Sequence, residues 1–161
     1  MSRFNELSKN INTVLDNLIK NQDLCKLLKY NTYNPKSEQD INNTVELLYD
    51  KIYPLPFTPD IKGDKHEPVS VLNVIFDDFK LGKTNRYFKR SNIEFVILCH
   101  KDIWRIDGNL RPFAIMHEID TMFNSNQKIG VGDLGFELGK IMWANELYAG
   151  YKIVYKNYEF N

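Results

Sequence analysis

Val69-Ser-Val-Leu-Asn-Val-Ile-Phe76 and, after a basic segment, Ile93-Glu-Phe-Val-Ile-Leu-Cys99 are the stretches that decide the fold of this chain. Both are rich in β-branched and aromatic residues and show the period of two that is typical of β-strands. The run Arg111-Pro-Phe-Ala-Ile-Met-His-Glu-Ile-Asp120 changes to a helical period, with proline in the favoured first turn. We therefore predict strands over 69–79 and 92–100 and a helix over 112–123.

The sequence beyond this helix returns to a period of two. It predicts a third strand over 134–143, with an irregularity at Gly139, and a fourth strand around Tyr151–Tyr155 after a loop over 144–150. The order of elements predicts a mostly antiparallel β-β-α-β-β sheet domain with one helix packed on the sheet. The inward face of that helix is predicted to comprise Ile115, Met116, Ile119, Met122 and Phe123.

The first third of the chain has a helical pattern instead. Apolar residues recur at helical spacing over 4–18, over 23–30 and from about Ser37 to Tyr53, which predicts three helices. Four prolines and a glycine within 54–68 predict a stiff connector. The predicted fold class is therefore α+β, with a helical segment 1–53, a connector 54–68 and an α+β domain 69–161, together forming one globular unit.

Composition narrows the possible functions. The 161 residues carry 21 basic and 21 acidic side chains, so the net charge is zero and any contact with DNA must be local. The 43% hydrophobic content suits one domain with a sizeable core. The separated cysteines, Cys25 and Cys99, are expected to be buried thiols in a reducing compartment. No apolar run is long enough to span a bilayer, so we expect a soluble protein without membrane contact.

Motifs for catalysis or cofactor binding are incomplete. Gly130-Val-Gly132-Asp-Leu-Gly135 matches a dinucleotide pattern in letters, but it follows a predicted helix and precedes a strand, the reverse of the required order. His117-Glu118 is half of a zinc-protease motif, and Thr121 stands where the second histidine is needed. We therefore expect no enzymatic activity, no catalytic residues, no cofactor and no metal.

A second candidate site follows the second strand. His100, Asp102 and Trp104 alternate there, and this spacing could orient an imidazole or bind a metal weakly. A metal site needs a further ligand, and no nucleophile accompanies the pair. We interpret these residues, with Arg111, as a structural loop.

The segment between the first two strands is basic and aromatic. As a solvated arm it would dock on a neighbouring subunit, whereas as a phosphate- or base-stacking surface it would contact DNA. The acidic pair Asp77-Asp78 at its base favours the arm, because carboxylates repel a phosphate backbone. The candidate residues for either role are Lys80, Lys83, Arg86, Tyr87, Phe88, Lys89 and Arg90.

Several stretches within 70–160 together resemble tailed-bacteriophage neck and tail-completion proteins, most closely the tail terminators. They are Phe76-Asp-Asp-Phe79, Lys83-Thr-Asn-Arg-Tyr-Phe-Lys-Arg-Ser91, Cys99-His-Lys-Asp-Ile-Trp104, Leu110-Arg-Pro-Phe-Ala-Ile-Met-His-Glu-Ile-Asp120, Ile129-Gly-Val-Gly132 and Gly150-Tyr151. The N-terminal helices are an addition to the small terminator pattern.

This resemblance implies a structural virion protein at the head–tail junction, assembled in the host cytoplasm. It implies a ring of identical subunits, expected to be a hexamer, that caps the tail tube and contacts the tail tube protein, the head-completion proteins and, in passing, phage DNA. The alternatives are another neck role, as adaptor or stopper, a small cytoplasmic enzyme that uses His100 and Asp102, or a nucleic-acid-binding module that uses the basic segment.

Overall fold

A computed structural model describes residues 4–60, 67–81, 89–124 and 134–160 of the chain. Two helices open it, α1 over Phe4–Lys20 and α2 over Gln22–Lys29, and both confirm the sequence prediction. Asn21 separates them and caps α2, because its side-chain oxygen accepts a 3.0 Å hydrogen bond from the backbone N–H of Leu24. The two helices bury their apolar stripes, including Leu18 and Leu27, against the rest of the protein.

The predicted third helix over 37–53 is wrong. The chain forms two short 3₁₀ turns, Pro35–Ser37 and Thr44–Leu47, and then a two-residue strand β1, Ile52–Tyr53. The pair Asn42-Asn43 and the following Thr44 have low helix propensity, and Tyr49 adopts a positive φ of 59°, which a right-handed helix does not permit. The apolar side chains of Ile41 and Ile52 still reach the core, but from irregular backbone and a strand.

In the described part of the chain the main sheet has five strands, which lie side by side in the order β1, β2 (Ser70–Leu81), β3 (Lys89–His100), β7 (Tyr148–Phe160) and β6 (Leu134–Trp143). The four long strands are antiparallel to their neighbours, and β1 alone pairs in parallel, with β2. The predicted α+β class and mostly antiparallel sheet are confirmed, although β7 begins at Tyr148, inside the stretch predicted as a loop.

Between β3 and β6 lie a small hairpin, β4 Arg105–Ile106 and β5 Asn109–Leu110, and the helix α3, Arg111–Phe123. The hairpin turns at Gly108, whose φ is +70°, a conformation that glycine adopts without strain. Of the five α3 residues predicted to face inward, Ile115, Ile119 and Phe123 are buried, and Met116 and Met122 are partly buried against the same core.

One face of the sheet packs against all three helices. Its main cluster joins Leu72 and Phe95 of the sheet to Leu18 of α1 and Ile119 of α3. A smaller cluster on the opposite face contains Val71, Val96 and Leu98 and is partly covered by Tyr53 and Phe57, whose rings stack at 4.0 Å. Within the described residues, the helices therefore lie on one side of the sheet.

Both cysteines are free and buried, as the sequence predicted. Burial raises the pKa of the Cys25 thiol to about 11. Burial likewise raises the pKa of Cys99 to about 12, although the nearby Ser70 hydroxyl and the charge of Arg111 oppose the shift. The two thiols are therefore protonated near neutral pH and poor nucleophiles. Among the described residues, no helix has the length and apolarity needed to cross a membrane.

Candidate functional site

The His100–Asp102 pair forms a backbone cap. His100 is buried, and its Nδ1 accepts a 3.0 Å hydrogen bond from the backbone N–H of Asp102, closing the 3₁₀ turn Lys101–Ile103. The Asp102 carboxylate is exposed and lies 3.7 Å from the same nitrogen. The ring meets Tyr148 edge-on, with centroids 5.1 Å apart. The imidazole nitrogen that would face Asp102 in a catalytic or metal-binding pair is thus occupied by the backbone.

Arg111 is the most heavily bonded side chain of this region. It is fully buried, and its guanidinium donates four hydrogen bonds to carbonyl oxygens. Nε bonds Ile103 at 2.8 Å, Nη1 bonds Leu27 at 2.6 Å and Tyr30 at 2.9 Å, and Nη2 bonds Thr32 at 3.0 Å. Burial lowers the pKa of the guanidinium. The acceptors at the end of α2 carry the negative end of the helix dipole, which favours a cation there.

Trp104 links the hydrogen-bonded Arg111 to the loop that begins at His100. Its ring is partly buried against the main core, and its carbonyl oxygen accepts a 2.7 Å hydrogen bond from the backbone N–H of Arg111. The sequence suggested a structural loop of four residues, but the partners of Arg111 were missed. One sequence feature could have indicated this buried role. Arg111 lies directly before the first-turn proline of an apolar helix.

The remaining candidate motifs do not come together in the part of the chain that the structure covers. Gly135 lies in β6, whereas 130–133 lie outside the described residues. His117 is exposed on α3, and the adjacent Glu118 is bonded at 2.7 Å to Lys36. Within the described ranges, no three His, Cys, Asp or Glu side chains are placed to share a metal ion.

Most of the predicted interface or DNA-facing loop lies outside the described residues, namely Lys83, Arg86, Tyr87 and Phe88. The backbones of Lys89 and Arg90 form the start of β3, and the side chain of Lys80 bonds Asp78 at 2.9 Å on its own strand. The assignment of this loop to a neighbouring subunit or to DNA stays a prediction.

The β6 strip is a surface that the sequence analysis did not identify. It consists of Phe136, Leu138, Ile141 and Trp143, which are 52%, 41%, 50% and 73% exposed. All four lie on β6, the last strand of the sheet, which has a described strand partner on one side only. An apolar edge strand of ten residues is a ready template for pairing with another chain. The sequence feature that could have indicated this surface is the presence of apolar residues on both faces of the predicted strand.

The α3 pocket lies beside this strip and is bounded by α3, β6 and β7. It is an open pocket of about 380 Å³. Its lining residues are Phe113, Met116, His117, Asp120, Asn124, Phe136, Ile153 and Tyr155.

A short hydrogen bond lies in this pocket. The Tyr155 hydroxyl donates to Asp120 Oδ1 at 2.6 Å. Burial first, and then the neighbouring Asp120 carboxylate, raise the pKa of Tyr155, which therefore keeps its proton and remains a donor. The pocket thus combines aromatic walls, including the exposed rings of Phe113 and Phe136, with one carboxylate.

Comparison with known proteins gives one family. No curated protein and no solved structure matches the chain significantly. The family model described as YomW matches residues 21–157, which run from α2 through most of β7 and include the loop capped by His100, Arg111, the β6 strip and the α3 pocket. The chain therefore belongs to the YomW family, a Bacillus phage-derived protein family.

Proposed function

We propose that this protein is a structural subunit of a tailed phage that assembles with copies of itself into a ring at the head–tail junction. The phage-derived family supports a phage role, and the resemblance of residues 70–160 to tail terminators supports this position in the particle. In this role the ring caps the tail tube and joins it to the head-completion proteins.

The β6 strip is the observation that carries the self-assembly part of the proposal. Four large apolar side chains at least 41% exposed on one edge strand would be costly in a protein that stays monomeric. Natural sheets protect their edges with short strands, charges or prolines, and at the opposite edge the two-residue strand β1 pairs with Leu72 and Asn73 of β2. β6 has ten residues and one described strand partner, so its outer edge and its apolar side chains can both be covered by another subunit.

The two edges of the sheet are different surfaces. A contact that joins β6 of one copy to a different surface of the next is head-to-tail, and head-to-tail contacts close into a ring when the rotation permits. The alternative enzymatic role has less support, because the Nδ1 atom of His100 is bound to the backbone N–H of Asp102.

The mass of the purified protein in solution, measured by light scattering over a wide concentration range and combined with negative-stain images, tests self-assembly. Wild type should form a closed oligomer, and Ile141→Lys/Trp143→Gln should be a folded monomer, because both side chains are at least half exposed. The matched control is Tyr33→Gln/Val45→Lys, which changes an exposed aromatic and an exposed aliphatic residue outside β6 and should assemble normally. A wild type that is monomeric at every concentration would overturn the ring.

The position in the particle needs a separate measurement. Antibody labelling of purified virions should place the protein at the head–tail junction, and the purified oligomer should bind tail tubes. Absence of the protein from virions would contradict the structural role. Binding to head-completion proteins but not to tubes would assign it to the adaptor or stopper position instead.

A further inference from the structure

The α3 pocket has the chemistry of a receptor for a basic side chain. Among the described residues that line it there is one carboxylate, Asp120, and no lysine or arginine. The bond from Tyr155 uses one acceptor position of a group that offers about four. Asp120 therefore retains capacity to accept from a cation, and the carboxylate is partly buried, where a charge-assisted hydrogen bond is stronger than at an open surface.

The walls of the pocket suit the rest of such a side chain. Phe113 on α3 and Phe136 on β6 are partly exposed aromatic residues of the lining, and Met116 adds a flexible apolar side chain to it. Aromatic faces attract ammonium and guanidinium groups and pack against aliphatic stems. His117 also lines the pocket, from the exposed face of α3.

The chain itself contains a segment of the complementary chemistry. Lys80–Arg90 carries five positive charges interleaved with Tyr87 and Phe88. We propose that the α3 pocket of one copy binds the basic and aromatic side chains of the segment 80–90 of a second copy. This inference rests on the proposed self-assembly and identifies the contact that fixes the register between neighbours. Because pocket and segment are different surfaces, the contact can repeat head-to-tail from copy to copy, as ring closure requires.

A labelled synthetic peptide with the sequence of residues 80–90 tests the contact directly, by fluorescence anisotropy with the monomeric Ile141→Lys/Trp143→Gln protein. Asp120→Asn removes the charge but keeps an oxygen that can accept from Tyr155, so folding should be preserved. In that background it should weaken peptide binding about tenfold or more, as expected when a charge-assisted hydrogen bond is lost. Asp16→Asn, which removes the same charge from an exposed position on α1, is the matched control and should bind the peptide unchanged.

Assembly of the full chain supplies the second measurement. Asp120→Asn and Arg86→Glu/Arg90→Glu should each reduce oligomer formation without changing thermal unfolding of the monomer. Equal peptide binding by wild-type and Asp120→Asn pockets, or no binding to either, would overturn the contact.

The assembly and binding measurements distinguish failure of this contact from failure of the proposed ring. If wild type assembles and both variants assemble as well, the pocket contact is wrong while the β6 interface stands. If Arg86→Glu/Arg90→Glu forms normal oligomers that have lost salt-sensitive DNA binding, the segment faces DNA and the pocket contact is again overturned. If wild type does not assemble but the peptide binds in a manner that depends on Asp120, the proposed ring is wrong.

Discussion

A Cβ atom at Gly150 would lie 1.7 Å from the carbonyl oxygen of Ile97, so β7 passes β3 at a distance that only glycine permits. The next nearest atom, the Ile97 carbonyl carbon, would be 2.7 Å away, and both are backbone atoms in the centre of the sheet. The sheet cannot relieve this contact by rotating a side chain.

Gly150→Ala should therefore destabilise the protein by about 3 kcal/mol or more, at or above the upper end of ordinary overpacking. Denaturant unfolding followed by circular dichroism measures the change. Gly139→Ala, in the neighbouring strand, is the control, because its Cβ would meet nothing closer than 3.7 Å. Equal effects of the two substitutions would show that β3 and β7 do not approach as described.

Arg111→Lys should be strongly destabilising although it keeps the positive charge. A single ammonium cannot replace a planar guanidinium that reaches four carbonyl oxygens in different directions. Since each buried acceptor left without a donor costs about 1–3 kcal/mol, we expect the free energy of unfolding to fall by more than about 2 kcal/mol. The exposed Arg105→Lys should change it by less than about 0.5 kcal/mol, and a comparable loss there would contradict this account.

Substitution on the buried face of α3 should destabilise the protein, whereas substitution on its exposed face should leave stability unchanged. Ile119 is fully buried beneath the helix, so Ile119→Asp places an unpaired charge in the core at a cost of several kcal/mol. The variant should be insoluble or lack fixed tertiary structure, as near-ultraviolet circular dichroism would show. His117→Ala, two positions earlier on the exposed face, should melt like wild type. Similar behaviour of the two variants would reverse the assignment of the faces.

Glu118 should make stability dependent on pH in the acid range. Burial alone would raise its pKa, but hydrogen bonds from Lys36 and Asn21 and the Lys36 charge outweigh burial and lower the pKa below the usual 4.5. A carboxyl group with a depressed pKa in the folded state stabilises above its unfolded pKa and loses that contribution as pH falls through the folded value. The stability difference between wild type and Glu118→Gln should therefore be largest near neutral pH and shrink below about 4.5.

Urea unfolding of both proteins across the acid range measures this difference. In a Lys36→Met background, Glu118→Gln should have a smaller pH-dependent effect, because the 2.7 Å ion pair is already lost. An undiminished effect in that background would assign the shift to another neighbour.

Local sequence patterns predicted the long strands and α3 because their apolar residues recur with the period of a strand or of a helix. The same reasoning produced a false helix over 37–53. The apolar spacing of Ile41 and Ile52 fits a helix, but the conformation there is decided by the parallel pairing of Ile52 with Leu72, twenty positions later. Pairing between distant strands leaves no local signal.

The candidate site was less predictable than the fold. Alternation in 134–143 indicates a strand, but it does not show how far the helices extend across the sheet, and this extent leaves Phe136 and Trp143 exposed. The α3 pocket depends on the bond between Asp120 and Tyr155, which are 35 residues apart. The order of elements predicted a helix on the sheet, but not which of its polar residues would meet β7.

The hydrogen bonds of the buried Arg111 make the N-terminal helices and the sheet domain structurally dependent on each other. Three of its four acceptors, on Leu27, Tyr30 and Thr32, belong to α2 and the residues that follow it. A shortened chain beginning at the connector would retain the guanidinium in an apolar setting without these oxygens. During evolution the helices could therefore not be gained or lost independently of this arginine, and a natural homologue without the helices should carry an uncharged residue at this position.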